Sequence, residues 1–175
     1  KTFRQYIEFI DDQSTYLELS VLNELNKLGL EYFIYEHPPL RTIEESKALR
    51  GELHGGHTKN LFLRDKKKKN YLITVNENQK IDLKFLESEL SSGRLSFGSP
   101  ERLSQFLGVK PGAVSPLALL NDKHNDVSFF IDHNLLSENI LNFHPLVNHL
   151  TVSIKVTDFK YFLKSQNKFY NEIYF

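Results

Sequence analysis

Residues 54 to 65, HGGHTKNLFLRD, set His57, Thr58, Lys59 and Asn60 directly ahead of an apolar run that reads as a strand. Lys59 and Asn60 start the strand at its rim, where they offer a binding edge, or Lys59 merely covers apolar surface with its stem. Gly55 and Gly56 allow the backbone to come close to a ligand, and they equally satisfy a plain turn with His54 and His57 solvated. A second stretch, PGAVSP (111 to 116), holds Gly112, Ala113, Val114 and Ser115 between Pro111 and Pro116. Such a stiff loop can present successive N–H donors to a phosphate or an oxyanion, or simply join a helix to a strand. The third, NFHPLVNHLT (142 to 151), fixes His144 in extended backbone ahead of Pro145, with Asn148 able to brace the turn. His37, in EHPPL, admits the same two readings as any loop histidine.

Several chemistries are excluded. The chain has no cysteine, which removes disulfides, thiolate zinc sites and cysteine nucleophiles and fits a cytoplasmic setting. Its seven histidines show no H-E-x-x-H spacing, so neither a metal nor another cofactor is expected. No G-x-S-x-G, Walker or dinucleotide glycine pattern occurs, and no apolar stretch approaches the ~18 residues of a membrane span. The formal net charge is zero, which argues against broad nucleic-acid binding through phosphate neutralisation. The one concentrated positive run is RDKKKK, with Arg64, Lys66, Lys67, Lys68 and Lys69, to which Lys47, Arg50 and Lys59 can add. Its ordinary role is a solvated turn; its sharper one is a phosphate-backbone contact.

The elements that must hold these groups follow from periodicity. At 175 residues with 40% hydrophobic and 25% charged residues, the chain fits one soluble globular domain. Residues 1 to 14 carry no clear period and are set apart as an N-terminal extension, leaving 15 to 175 as the domain. Thr15 and Glu18 form a capping-box spacing for a helix whose Leu19, Leu22, Leu25 and Leu28 run up to Gly29. EYFIYEH (31 to 37) reads as a strand stopped by Pro38 and Pro39, and Thr42 with Glu45 opens a short helix ending before Gly51. NLFLRD and YLITV form a hairpin about residues 66 to 70; a short helix follows near Lys84 to Leu90. Ser99 and Pro100 start a helix that reaches Leu107 ahead of Gly108. LALLND and VSFFID read as another hairpin, LTVSIKV as a late strand and DFKYFLKS as the last helix. The whole predicts an α+β domain: a central mixed, largely antiparallel sheet flanked by helices.

The order of GGHTKNLFLRDKKKKNYLIT, RLSFGSPERLSQFLGVKPGAVSPLALLND, VSFFID and NFHPLVNHLTVSI closely resembles the YbaK/ProX family of aminoacyl-tRNA deacylases, related to the editing insertion of bacterial prolyl-tRNA synthetase. The resemblance spans about residues 15 to 165. The HTKN form is similar to the free-standing ProXp-ala or PrdX branch, which clears alanine wrongly attached to proline tRNA. The resemblance implies a catalytic set of Lys59, Asn60, Gly112 and His144. It implies substrate contacts from His57, Thr58, Ala113, Val114, Ser115, Pro116 and Asn148, and tRNA contacts from Arg64 and Lys66 to Lys69. Lys59, His144 and the Gly112 loop are then expected to line one cleft. The expected partner is mischarged tRNA, together with prolyl-tRNA synthetase as a possible second one, and the expected state is a monomer. The alternatives are a deacylase of cysteinyl- or seryl-tRNA, or a noncatalytic tRNA- or synthetase-binding module of the same fold.

Overall fold

The computed structural model describes residues 15–37 and 55–175. The extension 1 to 14, the Thr15–Glu18 side-chain pair, Pro38, Pro39, the Thr42–Glu45 helix, Lys47, Arg50 and His54 lie outside what is described. Helix α1 (Thr15–Lys27) buries Val21, Leu22 and Leu25 on one face. It stops where Gly29 takes φ +71 and Leu30 N–H returns to the Leu25 carbonyl at 3.0 Å, closing the open carbonyls of the last turn. Strand β1 (Tyr32–Glu36) follows, then β2 (Gly56–Arg64) and β3 (Asn70–Asn76) as the expected hairpin, α2 (Leu83–Glu89) and the short β4 (Ser96–Phe97). Helix α3 (Pro100–Leu107) has the ends its sequence dictates. Ser99 Oγ accepts from Arg102 N–H at 3.2 Å, Pro100 sits in the first turn, and Gly108 closes the last turn at φ +67. A 3₁₀ turn (Pro116–Asn121) leads to β5 (Val127–Asp132), a second 3₁₀ turn (His133–Ser137), β6 (Ile140–Phe143), β7 (Leu150–Lys155), α4 (Val156–Ser165) and β8 (Asn171–Ile173).

The strands make one mixed sheet in the order β1-β7-β6-β2-β3-β5-β8, with β4 pairing β2 off that path. The pairs β1–β7, β2–β3, β2–β4 and β6–β7 are antiparallel; β2–β6, β3–β5 and β5–β8 are parallel. This is the expected α+β class. The LALLND–VSFFID hairpin is not formed. Ser115 accepts from Leu117 N–H at 3.1 Å and Pro116 opens a 3₁₀ turn, while β5 runs parallel to β3 and β8.

Period-two alternation gives each face of the sheet its own apolar cluster. Phe62, Leu72, Phe129 and Ile131 pack with α1, α3 and α4 in the larger one; Leu63, Tyr71, Ile73 and Val75 pack with Leu86 of α2 in the smaller. Among the described residues no helix is long and apolar enough to cross a membrane.

Candidate active site

The sheet divides at β2. Its first residues pair with β6, Gly56 opposite Leu141 and His57 opposite Asn142, and its remainder pairs with β3 from Thr58 onward. Beyond His57 the two parallel strands part, and β4 covers β2 again only at Leu63 and Arg64. Among the described residues, β2 therefore has an open edge between these two contacts. Parting parallel strands leave a crevice at their ends, a recurrent location for ligands in sheets of this kind.

The glycines explain how the fork closes at its base. Gly55 has φ +99, and a Cβ there would lie 2.7 Å from the Ile140 carbonyl oxygen; one on Gly56 would lie 3.0 Å from Leu141 Cδ2. Their small size admits β6 rather than a ligand.

A cleft of about 40 Å³ occupies the fork, lined by His57, Thr58, Asn60, Asn142, Phe143, His144 and Thr151. Thr58 Oγ1 donates to the Asn142 carbonyl at 2.9 Å, tying the walls together just past the last paired residues. On the β2 wall, Asn60 Oδ1 accepts from Thr74 Oγ1 at 2.5 Å. Among the described residues, its amide hydrogens meet no acceptor. On the opposite wall, Asn142 Nδ2 donates to the Gly56 carbonyl at 3.3 Å, and its carboxamide oxygen accepts from Ser153 Oγ.

His144 follows β6 directly. Its Nδ1 lies 2.7 Å from the Leu150 carbonyl, an acceptor only, so Nδ1 carries the proton and Nε2 presents a lone pair. Burial lowers the pKa of the ring, the Leu150 bond opposes this, and His37 and His149 nearby push it down further. The His144 ring is held neutral. The His37 ring centroid is 6.0 Å away, and His37 Nε2 lies 2.8 Å from Thr151 Oγ1, behind the cleft wall.

Of the residues singled out in the sequence, His57, Thr58, Asn60 and His144 line this cleft. Lys59 and residues 112 to 116 are not among the side chains lining this cleft. Lys59 is paired with Val75, and alternation along β2 places it on the same face as His57 and on the opposite face from Thr58 and Asn60. It is half-buried, desolvation lowers its pKa, and among the described residues it has no carboxylate partner. The Gly112 loop lies beside the segment that follows His144: a Cβ on Gly112, whose φ is +90, would be 3.6 Å from Asn148 Nδ2. Ala113 N–H is taken by the Lys110 carbonyl at 3.1 Å. The N–H groups of Gly112, Val114 and Ser115 make no hydrogen bond among the described residues. Ser115 and Pro116 are buried and start the 3₁₀ turn, so they support the loop from behind.

The basic turn sits at the far end of β2, roughly 23 Å from His57 at ~3.3 Å per residue. Lys66 to Lys69 are all exposed. The turn is firmly built: Lys68 takes φ +65, Asp65 accepts from Lys69 N–H at 3.0 Å and Tyr71 Oη at 3.1 Å, and Arg102 donates to the Lys68 carbonyl at 3.2 Å. Burial and the bond to Asp65 push the Tyr71 phenol up to about 12.

Sequence reasoning did not find Asn142, Thr151 or Thr74. Asn142 was visible as part of NFHP; Thr74 reads as an ordinary strand former until its register is known.

Residues 37–162 match the model of the aminoacyl-tRNA editing domain. The chain is 37% identical to the prolyl-tRNA editing protein ProX of Acetoanaerobium sticklandii, over 88% of this chain and 94% of that one. It is also 37% identical to prolyl-tRNA synthetase associated domain-containing protein 1 of Mus musculus, over 85% and 90% respectively. A crystal structure of a candidate trans-editing enzyme for prolyl tRNA synthetase shares the fold, with a TM-score of 0.68 at 20% identity over 93% of this chain and 98% of that one. The family match and the curated relatives define an aminoacyl-tRNA hydrolase. The chain belongs to the aminoacyl-tRNA editing domain family.

Proposed function

We propose that this chain, with residues 15 to 175 as its editing domain, hydrolyses mischarged proline tRNA in trans in the cytoplasm, and that alanyl-tRNA(Pro) is its substrate. The observation that carries this reading is the fork cleft, lined by Asn60 of β2, with its amide hydrogens unspent, and by the neutral His144 just after β6. The names of the relatives favour proline tRNA. The cleft, about 40 Å³ and open to solvent, has room for a small side chain beside the ester.

The need for such a site is physical. A synthetase pocket shaped for proline rejects the smaller alanine by only ~1 to 3 kcal/mol per missing methylene. A second site that admits alanine and excludes proline by size supplies the remaining discrimination.

In the mechanism we infer, Asn60 Nδ2 donates to the ester carbonyl and stabilises the charge that develops on it. N–H groups of the Gly112 loop hold the aminoacyl end beside Asn148. His144 Nε2 accepts a hydrogen bond from the aminoacyl group and orients it. A water oxygen attacks the carbonyl carbon, the bond to the ribose oxygen breaks, and a neighbouring ribose hydroxyl relays the proton to that leaving oxygen. Lys59 is assigned to a phosphate of the tRNA end. A partly buried cation two residues beyond His57, on the same face of an open strand edge, fits an anion passing that edge. Arg64 and Lys66 to Lys69 then meet the tRNA body.

Deacylation of a panel of alanyl-, cysteinyl-, seryl- and prolyl-tRNAs tests the reading. We expect alanine to leave proline tRNA well above the spontaneous rate while prolyl-tRNA(Pro) persists. Loss of alanine at the spontaneous rate would overturn it.

A further inference from the structure

We propose that Thr74 is a positioning residue for hydrolysis, orienting the Asn60 carboxamide through its hydroxyl. The inference rests on the reading above, in which Asn60 donates to the ester carbonyl.

Thr74 is fully buried in a strand whose neighbours Tyr71, Leu72, Ile73 and Val75 are apolar. A valine of the same shape would suit that environment, and an unpartnered hydroxyl there would be costly. The hydroxyl therefore needs a local purpose, and the register supplies it, because Thr74 lies directly opposite Asn60. Their Oγ1 to Oδ1 separation of 2.5 Å suits an O–H···O bond, whereas an N–H···O bond is longer. The hydroxyl is thus the donor and the amide oxygen the acceptor. That fixes which end of the carboxamide faces the fork: both Nδ2 hydrogens are left for substrate, with no acceptor among the described residues.

The other wall carries the same device used differently. Asn142 is directly opposite Ser153, whose hydroxyl donates to its carboxamide oxygen, but its Nδ2 is spent on the Gly56 carbonyl. Cross-strand hydroxyls orient both asparagines; on the β2 wall alone the amide hydrogens remain for chemistry. Without Thr74 the Asn60 amide can flip, presenting an oxygen to the ester carbonyl and placing like partial charges together.

The test is steady-state deacylation of alanyl-tRNA(Pro) by wild type, Asn60→Ala, Thr74→Val, Thr74→Ser and the double variant Asn60→Ala/Thr74→Val. We expect Thr74→Val to lower kcat about 10-fold or more with KM within about twofold, since misplacing a reacting group is costly. Thr74→Ser should restore the rate to within about threefold. Thr74→Val should cost no further rate on the Asn60→Ala background, which a merely structural role would not predict. If Asn60→Ala loses activity while Thr74→Val keeps the wild-type kcat, or if the two losses simply add, the positioning role is overturned. If Asn60→Ala itself keeps the full rate, the assignment of Asn60 falls, and this inference with it. Should Thr74→Val not fold by circular dichroism, Thr74→Ala removes the same hydroxyl and is judged by the same criteria.

Discussion

Thr58 Oγ1 donates to the carbonyl of Asn142 across 2.9 Å, at the point where β2 and β6 stop pairing. This bond makes one rigid corner of two strands that otherwise diverge, and it sets the width of the cleft above it. Removing it leaves the Asn142 carbonyl in need of another donor. Thr58→Val should therefore raise KM for alanyl-tRNA(Pro) and weaken discrimination against prolyl-tRNA(Pro). The measurement is the ratio of kcat/KM for the two substrates, expected to narrow about 10-fold.

In the proposed mechanism Asn60 Nδ2 donates to the developing oxyanion, and Asn60→Ala removes that donor. The expected loss is about 100-fold in kcat with little change in KM, the range for deleting one oxyanion donor. Single-turnover deacylation measures it directly.

In the proposed mechanism Lys59 meets a phosphate of the tRNA end, so Lys59→Ala weakens substrate binding while Asn60 and His144 stay in place. We expect kcat/KM to fall about 100-fold, chiefly through KM. The slope of log affinity against log salt should shrink by roughly 0.7 to 0.9, corresponding to one released counterion.

The acceptor role proposed for His144 requires the neutral ring. Burial lowers its pKa below the ordinary value of 6.5, so its neutral form persists to more acidic pH than a free histidine's. The acid limb of kcat should accordingly fall at a pH below 6.5, and His144→Ala should abolish that limb along with most of the rate. The stability sign follows from the same shift. The unfolded chain takes up this proton more readily than the folded one, so stability is retained above about 6.5 and declines as pH drops from there toward the folded value.

Gly55→Ala and Gly112→Ala separate packing from backbone strain. Both positions have positive φ, but the new Cβ at residue 55 meets the Ile140 carbonyl at 2.7 Å, whereas at 112 its nearest contact is 3.6 Å away. Thermal unfolding should show a cost on the order of 3 kcal/mol or more for Gly55→Ala and about 1 kcal/mol for Gly112→Ala.

How much the sequence disclosed varied with the range of the interactions involved. Ser99, Pro100 and Gly108 specify both ends of α3 locally, and two β-branched and aromatic runs about a polar turn reveal β2 and β3. Ser115 and Pro116 repeat the Ser99–Pro100 start, so the 3₁₀ turn was signalled in a run that otherwise reads as strand. The short β6 and β8 carry too few residues for a period, and they exist because β2, β5 and β7 supply partners far away in the chain. At the site, residue types suggested Asn60 and His144 directly. Asn142, Thr151 and Thr74 gain their roles from cross-strand neighbours. The side Lys59 faces follows from strand parity, which becomes decisive only once the burial of Phe62 and Leu63 in different clusters is known.

The fork also has a temporal consequence. One wall is encoded before residue 61 and the other after residue 141, so a nascent chain emerging from the ribosome can complete its β2–β3 hairpin long before β6 arrives. Until then there is no crevice to receive an ester. Such a hydrolase is harmless to the aminoacyl-tRNAs feeding its own synthesis until the segment after residue 141 has emerged and folded.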